Sequence, residues 1–298
     1  MRQQSRPSAP VGSLSVSDTV RVGVVGAGGR MGRMVCAAVL AQPDLELVAA
    51  VDPDYAGTDL SLLVGTEAGG KLVGAEAGGK VTAEPDALAA SAAEVAVDFT
   101  RIEATRATLA VCAAAGIHAV VGTSGVTEGD LDEWRRLFAG PAAGAPNCVV
   151  APNFAVGAVL LMRFSELAAP HFDSVEIIEL HHDGKVDAPS GTAVHTAERI
   201  AGGRATAGAP ALPGDRTVAT LIEGVRGGAG PGGARIHSVR LPGLVAHQEV
   251  IFGSTGQTLT LRHDTTDRVS FMDGVMLAVR AVRTRPGLTL GLEPLLGL

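Results

Sequence analysis

The chain has 298 residues, enough for about two domains at ~150 residues each, and its 24 Lys+Arg against 31 Asp+Glu leave a net charge of −7. That acidic balance argues against sequence-independent nucleic-acid binding, which needs a cationic surface; 46% hydrophobic and 18% charged residues argue against wholesale disorder. Three cysteines, Cys36, Cys112 and Cys148, cannot all pair and include no CxxC, so a reducing, cytoplasmic setting fits better than a disulfide scaffold, and no run of ~18 apolar residues offers a membrane span.

Residues 1–19 carry Arg2 and Arg6 but no apolar stretch, and two prolines spoil an amphipathic helix. They read as a disordered tail rather than a secretory signal. Val20–Val25 is a β-branched run that ends in Gly26. A helix is expected from about Gly29 to Ala41, with Met31, Met34, Val35, Ala38 and Val39 on one side, and a second strand at Leu45–Val51 ends in Asp52. Strand, glycine turn, helix, strand is a βαβ unit. The loop that follows holds a small duplication, EAGGK at Glu67–Lys71 and again at Glu76–Lys80. A single nine-residue repeat is too short for a solenoid.

The alternation continues with strands at Val95–Phe99, Ile117–Val121 and Cys148–Val150 and helices at Glu103–Ala115 and Leu131–Phe138. The expectation is an α/β fold: an N-terminal Rossmann-type, doubly wound parallel sheet over residues 20–150. Beyond Pro152 the rhythm changes. Helices at Ala155–Ala168 and Thr192–Ile200, a strand at Val175–His182, and strands that look antiparallel at Ile236–Leu241, Glu249–Ser254 and Gln257–His263 predict an α+β domain over residues 151–269 with a mixed or antiparallel sheet. Ala201–Asp215 and Gly224–Ala234, rich in Gly, Pro and Ala, read as surface loops. A last helix at Phe271–Arg283 is expected to pack, within residues 270–298, back on the first domain.

Two stretches carry chemistry. In Gly26-Ala27-Gly28-Gly29-Arg30-Met31-Gly32 the glycines fall as GxxGxxG, since Met31 stands where GxGxxG requires glycine. Gly26 permits the tight turn, Gly28 or Gly29 lets backbone N–H groups approach a pyrophosphate, and the helix N-terminus adds positive partial charge. An ordinary glycine turn is the competing reading. Position between a strand and a helix, with Asp52 at the next strand end to accept from ribose hydroxyls, favours a dinucleotide. The second stretch is ELHHDGKVDAPSGTA, Glu179–Ala193. Ser190 can cap the following helix, leaving the N–H groups of Gly191 and Thr192 for a carboxylate. Zinc held by His181, His182 and Asp183 is disfavoured, because neighbours on an extended strand point to opposite faces, and no metal is expected. A solvated polar loop remains as the plain alternative on residue type.

GAGGRMG, VDFT (Val97–Thr100), GTSG (Gly122–Gly125), APNF (Ala151–Phe154), the Glu179–Ala193 run and RIHSVRLPGLVAHQEVIFG (Arg235–Gly253) occur in this order. Together, over about Val20 to Leu298, they resemble the 4-hydroxy-tetrahydrodipicolinate reductase (dihydrodipicolinate reductase) family. The resemblance implies NADH- or NADPH-dependent reduction of a cyclic dicarboxylate in lysine and diaminopimelate biosynthesis, by a homotetramer. It implies that Gly26, Ala27, Gly28, Gly29, Arg30 and Met31 hold the pyrophosphate and Asp52 the ribose. Phe99, Gly122, Thr123, Ser124, Ala151, Pro152, Asn153 and Phe154 line the nicotinamide side. His181 matches the proton donor and acceptor, Lys185 a second proton donor, and His182, Gly191 and Thr192 the substrate-carboxylate contacts. Pro53 is a departure, since the residue after the ribose acid is often basic where NADPH is favoured. Residues 1–19 have no counterpart, and Ala201–Asp215 reads as longer than usual. Another two-domain Rossmann dehydrogenase would share the glycine turn without the His–Lys–Ser–Gly–Thr run, and a non-catalytic NAD(H)-sensing protein would need a DNA-reading element or basic face that is not found.

Overall fold

A computed structural model describes residues 19–64, 79–139 and 145–298. The expected tail, apart from Thr19, and all of the duplicated EAGGK except Gly79 and Lys80 lie outside them. In chain order the elements are β1 (Val20–Val25), α1 (Arg30–Leu40), β2 (Leu45–Val51), α2 (Leu60–Val64), α3 (Ala87–Ala90), β3 (Val95–Asp98), α4 (Ile102–Ala115), β4 (His118–Val121), α5 (Glu128–Leu137) and β5 (Cys148–Val150). They continue with α6 (Val156–Ala168), β6 (Ser174–His181), α7 (Gly191–Thr206), β7 (Gly228–Ala229), β8 (Arg235–Arg240), β9 (Ala246–Ser254), β10 (Gln257–Thr265), α8 (Met272–Ala281), β11 (Leu288–Leu290) and α9 (Glu293–Leu296).

The first sheet is six-stranded, in the order β11-β5-β4-β3-β1-β2, and every pairing in it is parallel. Both faces are covered, which is why its strands are short apolar runs. Alternation then splits them: Val95 and Val97 belong to the core under α1 and α8, with Val35, Val275 and Val279, whereas Ala96 belongs to the core under α4 and α5, with Leu109, Trp134 and Phe138. α4 stops at Gly116, whose φ of 72° is the left-handed C-cap geometry. α5 begins three residues before the expected Leu131, because Thr127 and Asp130 form a capping box.

The second sheet has the order β10-β9-β6-β8-β7. β9 runs antiparallel to both β10 and β6. β8 corrects the expectation in part: it is antiparallel to the two-residue β7 but parallel to β6, because α7 carries the chain across and makes β6–α7–β8 a βαβ unit. Under α6 and α7 lies a third core of Leu161, Ile177, Ala197, Ile200, Val250 and Phe252.

The loop expected from Ala201 begins instead as the last turns of α7. Gly203 is there because a Cβ would come within 2.5 Å of the Glu166 carbonyl oxygen on α6, and Arg204, buried, donates to the carbonyls of Ala169, Phe172 and Pro210, each at 2.6 Å. The loop expected at Gly224–Ala234 holds β7. The terminal helix ends at Ala281 and passes through a 3-10 turn, Val282–Thr284, to β11, which adds an unforeseen sixth strand beside β5.

Candidate active site

Gly26 follows β1 with φ of 78°, and a Cβ on Gly32 would sit 1.9 Å from the Gly26 carbonyl oxygen, so α1 closes on the turn only without a side chain there. The first turn of α1 has neither a side-chain cap nor an acidic residue, which leaves N–H groups and the positive helix end for an anion. This is the fit expected of a dinucleotide pyrophosphate. Asp52 is buried and already engaged: its carboxylate accepts from Gly28 N–H at 2.9 Å and Asp54 N–H at 3.1 Å. It therefore braces the glycine turn, with lone pairs remaining for ribose hydroxyls. Tyr55 lies on Gly28, and Arg33, not singled out from the sequence, stacks 5.1 Å over the Tyr55 ring while its Nε donates to the Gly28 carbonyl. Arg30 is exposed.

At the ends of β3 and β4 the loops are tied together by Asp98 of the VDFT motif, to which the sequence assigns no role of its own. One buried oxygen of Asp98 accepts from Thr100 N–H and from the hydroxyls of Thr100, Thr105 and Thr123. Phe99 packs on Gly122, where a Cβ would meet its ring at 2.1 Å, and against Phe154 with ring centroids 5.5 Å apart. Ala151 is buried, and the Asn153 side chain accepts from Ala155 N–H at the start of α6.

The Glu179–Ala193 run spans the end of β6, a loop and the start of α7. His181 Nδ1 hydrogen-bonds the Glu179 carboxylate. Arg240, opposite His181 on β8, donates to both oxygens of that carboxylate, at 3.0 and 2.9 Å. Burial raises Glu179, but the hydrogen bonds from Arg240, Ser238 and His181 outweigh it and hold the group below the ordinary carboxylate range. Burial pushes His181 below the ordinary histidine range, against the upward pull of Glu179. Ser190 caps α7 by accepting from Ala193 N–H at 3.2 Å, so the N–H groups of Gly191 and Thr192 stay free at the positive helix end.

A cavity of about 330 Å³ brings the two halves together, with Met31, Phe99, Gly122, Pro152, Asn153 and Phe154 on one side and His181, Ser190 and Thr192 on the other. Gln248, His263 and Thr265, from β9 and β10, complete it and were not anticipated. Gly157 clears space for the His263 ring. Lys185 does not line this cavity: its Nζ is held by both oxygens of Asp187 at 2.8 Å. His182 and Gly191 also lie outside its lining, while Thr123 and Ser124 face a larger cavity of about 710 Å³ beside β11. Among the described residues the smaller cavity is the one whose lining includes both His181 and Met31 of the glycine-turn side. The signal that could have found Glu179 is the strand period of two, which puts residues 179 and 181 on one face. Arg240, 61 residues from Glu179, left no such local signal.

A doubly wound parallel sheet with an uncapped glycine turn, meeting a histidine-bearing second sheet across one cavity, defines a two-part dinucleotide-dependent oxidoreductase. Two family profiles match the chain: "Dihydrodipicolinate reductase, N-terminus" over residues 20–154 and "Dihydrodipicolinate reductase, C-terminus" over residues 157–296. The 4-hydroxy-tetrahydrodipicolinate reductase of Nocardia farcinica is 50% identical over 94% of this chain and all of its own, and that of Mycolicibacterium vanbaalenii 47% identical over the same shares. Among solved structures, dipicolinate-bound dihydrodipicolinate reductase from Paenisporosarcina sp. TG-14 is 38% identical, with a TM-score of 0.76 over 93% of this chain and 99% of its own. An amine dehydrogenase from Mycobacterium smegmatis, 16% identical, shares the fold at a TM-score of 0.56 over 92% and 95% of the two chains. The chain belongs to the dihydrodipicolinate reductase family and is an NAD(P)H-dependent oxidoreductase.

Proposed function

We propose that the chain reduces 4-hydroxy-tetrahydrodipicolinate, by way of dihydrodipicolinate, to tetrahydrodipicolinate in lysine and diaminopimelate biosynthesis, with His181 as the proton donor. The observation that carries this reading is the single cavity joining Met31, Phe99 and Phe154 to His181 and Thr192. A reduced nicotinamide, when bound, supplies a hydride to C4 of the substrate ring. The rest falls to the chain. Loss of water from the hydrated substrate gives the conjugated C=N system. The electron pair displaced by reduction moves toward the ring nitrogen, and the resulting enamine takes up one proton. His181 stands in the cavity wall to deliver it.

Thr192, through its N–H and hydroxyl, receives one substrate carboxylate; Gly191 and His182, which stand outside the cavity lining, join that pocket once substrate draws the Glu179–Ala193 run inward. Lys185 is the second proton donor after leaving Asp187, a rearrangement of an exposed ion pair worth little by itself: its proton goes to the hydroxyl that departs as water, while the ring proton lost in that elimination passes to solvent. Gly26–Met31 and Asp52 hold the dinucleotide. Phe99, the Gly122–Ser124 turn and Ala151–Phe154 bound its nicotinamide. Residues 20–150 with 270–298 then form the dinucleotide-binding domain, and residues 151–269 the substrate-binding and oligomerisation domain of a homotetramer. The unpaired, buried thiols of Cys36, Cys112 and Cys148 suit the cytoplasm. Among the described residues no helix is long and apolar enough to cross a membrane.

The test is oxidation of NADH or NADPH in an assay fed with the product of the preceding synthase reaction. Dipicolinate, planar with two carboxylates, should compete with substrate, and Thr192→Val should weaken it by about 1.5–3 kcal/mol, the range for a hydrogen bond to a charged group. No oxidation above background with either cofactor, or dipicolinate inhibition untouched in Thr192→Val, would place the substrate elsewhere.

A further inference from the structure

The environment of His181 is more elaborate than a wall of a cavity requires. The Glu179 side chain is fully buried, at 0% exposure. A carboxylate taken out of water alone is costly, and a guanidinium able to reach both oxygens is the residue type that offsets the cost. Arg240 fills that place, and its own orientation is fixed by further bonds from Nη2 to the Asp187 carbonyl at 2.6 Å and from Nη1 to the Val239 carbonyl at 2.8 Å. The β6–β8 register sets His181 opposite Arg240 and Glu179 opposite Ser238, so the guanidinium reaches back across one step of the parallel ladder.

An ionised carboxylate only accepts, so the ring nitrogen facing it must carry hydrogen. That assigns the proton to Nδ1 in the neutral imidazole and leaves Nε2, which has no protein partner among the described residues, for the cavity. The charged groups around the ring are Glu179 on its own strand, Arg240 on β8, Lys185 and Asp187 in the following loop, and the titratable His247 and His263 on β9 and β10. Of these, Lys185 and Arg240 oppose a charge on His181, and Glu179 supports it.

We propose that Glu179 and Arg240 are positioning residues for His181: the carboxylate, pinned by Arg240, fixes the tautomer that aims Nε2 at the cavity and steadies the ring when it carries the proton to be given up. The proposal rests on His181 being the proton donor. Neither Glu179 nor Arg240 lines the cavity, so Glu179 acts through the imidazole and Arg240 at one remove. In Glu179→Gln the amide cannot hold the tautomer, because it can donate as well as accept, and its loss of charge removes the group that favours protonation.

The experiment compares Glu179→Gln, His181→Gln, the double variant and Arg240→Lys by kcat and KM against pH, with NADH affinity and thermal melting as checks on the fold. Glu179→Gln should lower kcat by about tenfold to a hundredfold, the range found for partners that orient metal-ligating histidines. KM and NADH affinity should stay within about twofold, and the fall of kcat on the alkaline side should move to lower pH. In the His181→Gln background the same change should cost nothing further, since the group it acts through is gone. Arg240→Lys, which keeps the charge and loses the fork, should give a smaller loss in the same direction, and it decides the matter if Glu179→Gln does not fold. A His181→Gln enzyme of wild-type speed overturns the reading of His181 itself. A crippled His181→Gln beside a Glu179→Gln with unchanged kcat and pH profile overturns the relay alone. So does a slow Glu179→Gln whose alkaline limb has not moved, or whose loss multiplies with that of His181→Gln.

Discussion

Burial holds His181 below the ordinary histidine range, and Glu179 offsets only part of that. An acid must be protonated to act, so kcat should fall as pH rises through the lowered value, at more acidic pH than a free imidazole would dictate. His181→Gln should be lower by about 10²-fold and lose this limb, which a kcat–pH profile reads directly. The stability sign is opposite. A depressed histidine leaves the unfolded chain holding more protons, so His181 costs nothing above its ordinary range and destabilises the fold as pH drops through and below it. Cofactor choice also sits at single residues. With the dinucleotide seated as proposed, Asp52 and the neighbouring Asp54 bring negative charge toward the adenosine 2′-position with no cation from Pro53, and a carboxylate repels a 2′-phosphate of nearly two charges. NADH should be preferred or both cofactors used, with NADPH binding the more salt-sensitive, and Pro53→Arg should shift kcat/KM toward NADPH. An enzyme tenfold better with NADPH would refute the role given to Asp52. At this scale the sequence was legible wherever a side chain works beside its chain neighbours, as Ser190 does on Ala193 N–H. It was opaque where the partner arrives from another strand, as Arg240 does on Glu179, or where the local ion pair Lys185–Asp187 competes with the cavity.

The elements that were read well are those whose pattern is set by burial on two faces: β1, β2 and β5 fall on the expected residues. Strand direction in the second sheet was not readable, since an apolar period of two is the same for either direction of β8. The last turns of α7 were missed because Gly202-Gly203 looks like a loop. The two glycines are there for different reasons. A Cβ on exposed Gly202 meets nothing within 4 Å, whereas one on Gly203 meets the Glu166 carbonyl at 2.5 Å. Gly202→Ala should therefore stabilise by about 0.5–1 kcal/mol, the ordinary gain of alanine inside a helix. Gly203→Ala should destabilise by about 1–3 kcal/mol, because α6 and α7 must be forced apart. Thermal melting should show shifts of opposite sign, and equal shifts would mean that α7 does not pack on α6 as described.

For the molecule as a whole, the doubly wound sheet and the mixed second sheet were legible, whereas the return of the chain through α8 to place β11 beside β5 was not, since three residues, Leu288–Leu290, carry no pattern of their own. The surface raises the remaining question. Val218 and Leu221 are fully exposed and Ile222 is 69% exposed. On the second sheet Ile178, Leu180, Val239 and Ile251 stand outside the core under α6 and α7. Apolar surface of this extent is removed from water with a gain of roughly 25 cal/mol per Å², and contiguous exposed apolar patches mark interaction surfaces. In the homotetramer proposed above, a second copy meeting this one sheet to sheet would cover the sheet face, and a neighbouring copy would take Val218, Leu221 and Ile222 out of water. Light scattering should then report four times the chain mass of 30.1 kDa. Leu221→Asp with Ile222→Asp should shift the protein to smaller species while leaving its circular dichroism intact, because neither side chain belongs to the described cores. His181 lies on β6 in the same sheet, so the smaller species should also lose kcat. A wild-type chain that stays monomeric at micromolar concentration, with full activity, would mean that this face serves something other than self-association.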